Sequence, residues 1–166
     1  MGVRTNADTP EDTEQALKFG AEGIGLFRIE HMFYGKNSEA PLAILRKMIL
    51  SGSTEERKKW LNELQVYIKQ SVKGTMKVMN GKPVTFRLID PPLHEFVPHT
   101  EDKVAQLAEE LGIKVSELKE RIEGLKEVNP MMGLRGVRLG IIYPEISETQ
   151  FRALFEAEAE LRKEGN

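Results

Sequence analysis

Short apolar segments alternate with helical segments along this chain, and that alternation restricts its fold more than any other feature. Segments 3–7, 23–27 and 83–90 have the length and apolar content of short strands. Helical segments separate them, as expected for strands that run parallel and are joined by right-handed crossovers. The sequence therefore predicts an α/β fold built on a parallel sheet.

Several residues mark where helices begin and end. Thr9-Pro10 is typical of an N-cap followed by proline at the first helical position, and 53–56 (Ser-Thr-Glu-Glu) resembles a capping box. Asn80-Gly81 and Gly112 are typical helix breaks. We predict six helical segments and one loop. The helical segments are 10–19, 40–50, 54–68, 74–79, 100–126 with a break at Gly112, and 144–163. The loop spans 129–136.

The number of strands limits how the sheet can close. A closed eight-stranded barrel needs roughly 250 residues, whereas this chain has 166 and three convincing strand segments. An open arrangement of three strands leaves sheet edges and an apolar face to be covered.

Composition excludes several classes of function. The net charge of -2 argues against a nucleic-acid partner, although a few arginines can still hold a small anion. The chain has no cysteine, which excludes disulfides, thiolate metal sites and cysteine catalysis within it. No apolar run approaches the roughly 20 residues that span a membrane, and the N-terminus lacks a signal peptide. We therefore expect a cytoplasmic protein with no membrane or nucleic-acid partner.

Two arginines occupy positions that a strand would bury. Arg28 directly follows the second apolar segment, and Arg87 lies inside the third. A buried guanidinium needs an anion, because an unpaired buried charge is very costly. The anion is either a carboxylate of the chain, with Asp90, Glu30 and Glu95 as candidates, or a bound phosphate or carboxylate at the carboxyl end of the sheet.

Arg135 and Arg138 extend this set to four arginines. Their spacing of three would place them on one side of a helical turn. Taken alone they are explained as ordinary surface arginines. Arginine nevertheless suits phosphate, because its planar guanidinium makes paired, charge-assisted hydrogen bonds.

The three histidines predict no metal site. His31, His94 and His99 lack the spacing of zinc ligands. We interpret each as a hydrogen-bonded structural histidine rather than a catalytic one.

Three groups of residues resemble the pyruvate, phosphate dikinase family. They are 3–10 with 19–26, the stretch Arg-Leu-Ile-Asp-Pro-Pro-Leu-His-Glu-Phe at 87–96, and 129–140. The Asp-Pro-Pro-Leu-His-Glu-Phe stretch distinguishes this family from phosphoenolpyruvate synthase and from the first enzyme of the sugar phosphotransferase system. The resemblance covers nearly the whole chain.

The resemblance implies a fold and a function. It implies that 1–166 is the first portion of a C-terminal (β/α)8 TIM barrel, with about three strands and a helical insertion at about 98–128. In the family this barrel binds phosphoenolpyruvate and pyruvate, and the phosphoryl group passes to or from a phosphohistidine on a separate domain. The positions that match phosphate-binding arginines of the family are Arg28, Arg87 and Arg135, with Arg138 as a further candidate.

The resemblance also implies machinery that we expect outside this chain. In the family, a later Glu and Asp bind Mg²⁺ and a late cysteine protonates the enolate. We therefore predict no catalytic residue, no metal ligand and no tightly bound cofactor in this chain. Its partners would be phosphoenolpyruvate or pyruvate, the rest of the barrel and the phosphohistidine domain. The chain alone is expected to be inactive.

Four positions depart from the family pattern. Phe27 and Val137 stand where cysteine is usual, Ile29 where threonine is usual, and Leu134 where histidine is usual. They suit an alternative in which the chain is an isolated or engineered half-barrel without activity of its own. Such a folding module would expose apolar sheet surface and self-associate as a homo-oligomer.

Overall fold

A three-stranded parallel sheet organises the molecule, with the strands in the order β1–β2–β3. The computed structural model describes residues 2–35, 38–129 and 131–165. Strand β1 spans Arg4–Asn6, β2 spans Gly23–Arg28 and β3 spans Val84–Arg87. Because the strands are parallel, their carboxyl ends meet at one edge of the sheet. The α/β prediction is confirmed, and the sheet is consistent with a partial α/β barrel.

Helices connect and cover the strands. Short 3-10 helices at Ile29–Phe33 and Leu93–Glu95 follow β2 and β3. The α-helices are α1 (Pro10–Lys18), α2 (Glu39–Ile49), α3 (Thr54–Met79), α4 (Glu101–Leu111), α5 (Val115–Gly124), α6 (Gly136–Ile142) and α7 (Pro144–Lys163). The N-caps of α1 and α3 form as predicted, because Thr9 and Ser53 each accept a hydrogen bond from a backbone N–H of the first turn.

One hydrophobic core joins the strands to the helices. Helix α3 packs mainly against α7 and α2. Burying each of the larger aliphatic side chains stabilises the fold by about 2 kcal/mol. Fully buried members of this core are Ile24 and Phe27 of β2, Leu64, Ile68 and Val72 of α3, and Ala153 and Ala157 of α7.

Helix α3 is continuous, which corrects the predicted gap between Ile68 and Gly74. Gly74 lies where the helices come close, since a Cβ added there would be 2.9 Å from Cγ of Pro10. The glycine therefore allows α1 to approach α3 and does not break the helix.

Strand β3 is shorter than predicted and ends at Arg87. Arg87 pairs with Arg28, and β2 turns into a 3-10 helix immediately afterwards, so no strand partner continues beyond this point. The backbone N–H of Ile89 donates instead to Oε1 of Gln150 at 2.8 Å. The chain thus leaves the sheet just after Arg87.

The charged stretch after β3 forms the two predicted helices, α4 and α5. Gly112 ends α4 with a φ of +67°, a left-handed conformation that favours glycine. Leu118 is fully buried. Nζ of Lys47 in α2 lies 3.1 Å from Oε2 of Glu110, and Arg121 donates to the carbonyl of Leu50. These helices therefore contact α2 and its C-cap residue, and their assignment as an insertion stays a prediction.

A network of ion pairs crosses the interface between α3 and α7. Lys69 and Lys73 lie 2.8 and 2.7 Å from the carboxylate oxygens of Glu160, and Lys73 is 2.6 Å from Glu164. The hydrogen bonds from Lys69 and then Lys73 lower the pKa of Glu160 to about 2. The same contacts raise the pKa of both lysines.

This network predicts a pH dependence of stability. A carboxylate whose pKa is lowered on folding stabilises the fold above its unfolded pKa and loses that effect as the pH falls through its folded pKa. We expect wild type to be more stable than Glu160→Gln near neutral pH, and the difference to vanish between about pH 4.5 and about pH 2. Urea unfolding at a series of pH values measures the difference.

The matched control is Glu158→Gln, because Glu158 bonds Arg162 of its own helix rather than crossing the interface. We expect this variant to show a smaller change with pH. An equal pH dependence in both variants would contradict a role for the network.

Candidate functional site

The two strand-end arginines are neighbours. Arg28 ends β2 and Arg87 ends β3, and the two residues are register partners. Adjacent strands lie about 4.8 Å apart, and in-register residues of parallel strands project to the same side of the sheet. The structure therefore brings Arg28 and Arg87 together at the carboxyl edge of the sheet.

Arg87 is held by two carboxylates. Its Nη2 bonds Oε1 of Glu30, a residue of the 3-10 helix that is 1% exposed. Its Nη1 lies 3.6 Å from Oδ2 of Asp90. The predicted pairing with Glu30 or Asp90 is confirmed, whereas the predicted burial of the arginine is not, because 38% of the Arg87 side chain is exposed.

The Glu30 carboxylate also affects a nearby tyrosine. Tyr34 stacks on Phe96 with ring centroids 5.8 Å apart. Burial raises the pKa of Tyr34, and the negative charges of Glu95 and Glu30 raise it further. Negative charge therefore extends along this side of the 3-10 helix.

Arg28 is held by a residue that we did not predict, Asp8. The backbone N–H of Arg28 donates to Oδ1 of Asp8 at 2.6 Å, and Nε of Arg28 lies 3.8 Å from Oδ2. His31 lies against both, with Nδ1 2.9 Å from Asp8 Oδ2 and Nε2 3.3 Å from Nη1 of Arg28. Asp8 follows β1 by two residues. Its position just after a strand is the sequence feature that could have identified it as a residue of the carboxyl edge.

Arg135 joins the cluster through Asp90. Its Nη2 lies 2.6 Å from Oδ2 of Asp90, and its Nε donates to the Asp90 carbonyl at 3.2 Å. Gly136 makes this approach possible, because its φ is +54° and a Cβ there would lie 3.1 Å from Oδ1 of Asp90. Helix α6, which the sequence did not predict, begins at this glycine.

Arg138 points elsewhere. It donates to the carbonyls of Gly133 and Met131, at 2.8 and 3.3 Å, and so bonds the loop that precedes α6. The contacts of the described residues bring Arg28, Arg87 and Arg135 into one cluster with their carboxylates. The role of Arg138 as a ligand stays a prediction.

Three of the four apolar residues that depart from the family pattern pack in or against the core. Phe27 and Ile29 are each 1% exposed, and Phe27 packs edge-on against Phe86 with centroids 5.0 Å apart. Leu134 packs partly buried against the core, whereas Val137 is exposed. The side chains at 27 and 29 are therefore accommodated by packing.

The cluster can hold negative charge but offers no metal cage. In the ranges that the structure covers, no group of three or more His, Asp or Glu side chains could hold a metal ion. Guanidinium groups donate hydrogen bonds and keep their protons at neutral pH. Binding and stabilising an anion is thus the chemistry that these side chains support.

The Glu30–Arg87 pair predicts a measurable stability effect. Removing one partner of a fully buried ion pair costs about 3–5 kcal/mol, and Arg87 is 38% exposed. We therefore expect Arg87→Met to lower the free energy of unfolding by about 2 kcal/mol, because the buried Glu30 loses its cation. Urea denaturation measures this change.

Two variants show whether Glu30 is the cause. Arg152→Met removes an exposed arginine that pairs with Glu148 on the same helix, and should cost less than about 0.5 kcal/mol. Adding Glu30→Gln to Arg87→Met should recover part of the loss, because the unpaired charge is then gone. No recovery would contradict the assignment.

Known proteins resemble this chain along nearly its whole length. Residues 1–164 match the family described as PEP-utilising enzyme, PEP-binding domain. Pyruvate, phosphate dikinase of Clostridium symbiosum is 52% identical over 164 residues, covering 99% of this chain and 18% of that protein. The Giardia intestinalis enzyme of the same name is 52% identical over 165 residues, with 99% and 18% covered.

A plant relative shows the same similarity. Pyruvate, phosphate dikinase 1, chloroplastic, of Arabidopsis thaliana is 52% identical over 167 residues, with 99% of this chain and 17% of that protein covered. Since this relative is chloroplastic, the cytoplasmic location stays a prediction. Along the described ranges, no helix is long and apolar enough to cross a membrane.

The chain spans less than a fifth of the length of these relatives. Its whole length nevertheless matches them at about half of all positions. The chain belongs to the PEP-binding domain family of PEP-utilising enzymes, and it is similar throughout to pyruvate, phosphate dikinases.

Proposed function

We propose that this chain supplies phosphate-binding arginines to the phosphoenolpyruvate and pyruvate site of a larger pyruvate, phosphate dikinase. In that enzyme the phosphoryl group would pass between phosphoenolpyruvate and a phosphohistidine on a separate domain. The ligands would be Arg28, Arg87 and Arg135. The pairing of Arg28 with Arg87 at the carboxyl ends of adjacent strands is the observation that carries the proposal.

The arginines keep donors available for an anion. The side chains of Arg28, Arg87 and Arg135 are 27%, 38% and 26% exposed. Each guanidinium has five N–H donors, and the carboxylates occupy only some of them. A phosphate can therefore bind on the open side while the carboxylates hold the guanidinium groups from behind.

Charge balance limits the affinity. Arg28, Arg87 and Arg135 carry three positive charges, and Asp8, Glu30 and Asp90 carry three negative charges. The cluster is thus neutral, and phosphate is attracted by directed hydrogen bonds rather than by surplus charge. We expect a dissociation constant on the order of millimolar for the chain alone.

In the reaction, these residues would position the phosphoryl group. Charge spreads over the three outer phosphoryl oxygens during transfer, and fixed guanidinium donors stabilise that charge. Asp90 would shape the site by orienting Arg135. The described residues do not fit a magnesium ion, so the metal and the proton donor would come from other parts of the enzyme, and this chain would not catalyse the reaction alone.

Titration with phosphoenolpyruvate tests the proposal. We expect saturable NMR shifts at amides near the carboxyl ends of β2 and β3. Arg87→Lys retains the positive charge beside Glu30 but loses the planar guanidinium. It should weaken binding about tenfold, because one charge-assisted hydrogen bond is lost.

The matched control is Arg152→Lys on the outer surface of α7, which should leave the shifts unchanged. Absence of saturable shifts well above millimolar concentrations would contradict the proposal. That result would favour the alternative of a self-associating folding module. The exposed apolar side chains of α6 and α7, such as Ile141 and Phe155, are the feature that supports this alternative.

A further inference from the structure

The histidine of the 3-10 helix after β2 makes contacts that the proposed function does not use. We propose that His31, held by Asp8, is a positioning residue that orients Arg28 before phosphate binds. The inference rests on the proposed function, in which Arg28 is a phosphate ligand. It assigns a role to His31 that sequence spacing did not predict.

Asp8, Arg28 and His31 form a closed ring of contacts. Oδ2 of Asp8 lies 2.9 Å from Nδ1 of His31, and Nε2 of His31 lies 3.3 Å from Nη1 of Arg28. Asp8 also accepts the backbone N–H of Arg28 at 2.6 Å. Asp8 thus bonds the backbone of Arg28, and Asp8 and His31 both contact its guanidinium.

The geometry assigns the tautomer of His31. A guanidinium has only donors, so Nε2 of His31 must accept the hydrogen bond from Arg28. The ring proton then lies on Nδ1, which is 2.9 Å from Oδ2 of Asp8. A proton on Nε2 would place an N–H donor against the donor of Arg28, so the Nδ1–H tautomer is the one that fits.

The ring of contacts restricts the guanidinium of Arg28, which few other groups contact. In the part of the chain that the structure describes, Nε of Arg28 is buried and has no hydrogen-bond partner. Arginine loses more side-chain conformational entropy than most residues when it is fixed. Fixing the guanidinium in advance means that less of this entropy is lost when phosphate binds.

His31 can be changed without disturbing the core. Its side chain is 40% exposed and lines an open cleft of about 910 Å³ together with Asp8, Tyr34 and Ser71. Variants at this position should therefore fold, which makes the test practicable.

Two substitutions at position 31 test the contacts of the two ring nitrogens one at a time. His31→Gln places an amide oxygen near the position of Nε2, where it can accept from Arg28. His31→Asn places an amide nitrogen near the position of Nδ1, where it can donate to Asp8 but cannot reach Arg28. His99→Asn, at an exposed histidine, is the control.

The first measurement is NMR of the unliganded chain at about pH 8, where an ordinary histidine is neutral. We expect the nitrogen and carbon shifts of His31 to show the Nδ1–H tautomer. In wild type, His31→Gln and His99→Asn, the Nε–H signal of Arg28 should be resolved from those of the other arginines. In His31→Asn it should overlap with them. An Nε2–H tautomer, or an Arg28 signal unchanged in His31→Asn, would overturn the inference.

The second measurement is the affinity for phosphoenolpyruvate. His31→Asn should bind about fivefold more weakly, the effect of one ordinary hydrogen bond, and His31→Gln should recover most of the loss. Equal losses in both variants would also overturn the inference. If wild type does not bind while the Arg28 signal still depends on His31, the proposed function fails and the positioning of Arg28 stands.

Discussion

The bond between the buried carboxylate of Glu30 and the guanidinium of Arg87 is the interaction on which the carboxyl edge of this sheet depends. Glu30 is 1% exposed and follows β2 directly, while Arg87 ends β3. A carboxylate buried this deeply needs a cation, and an arginine at this position needs an anion. Each residue therefore fixes where the other can lie, and together they tie the ends of two strands.

Further ion pairs extend from this bond across the sheet. Asp90 contacts Arg87 and also bonds Arg135, which lies at the start of α6. On the other side, Asp8 ties the end of β1 to Arg28. Salt bridges of this kind add little net stability, because desolvation offsets most of the attraction. Their effect is to hold three arginines in fixed places, which an anion-binding site requires.

The sequence was informative about the strands and the arginines, and less so about what surrounds them. The three strands could be predicted because apolar segments and helix caps are local signals, although β3 ends three residues earlier than predicted. Glu30 and Asp90 were candidates because they lie near the arginines in sequence. Asp8 was missed because its partner Arg28 is 20 residues away. The gap predicted between Ile68 and Gly74 was wrong, because the close contact of Gly74 with α1 is a tertiary feature that the sequence does not show.

The central claim is that carboxylates hold Arg28 and Arg87 as a preformed site for phosphate. A crystal structure of the chain with phosphoenolpyruvate well above millimolar concentration tests this most directly. The account predicts the phosphate between the guanidinium groups of Arg28 and Arg87, with Glu30 still bonded to Arg87 and Asp8 to Arg28. Phosphate bound elsewhere, or bound only after these carboxylates have moved away from the arginines, would contradict it.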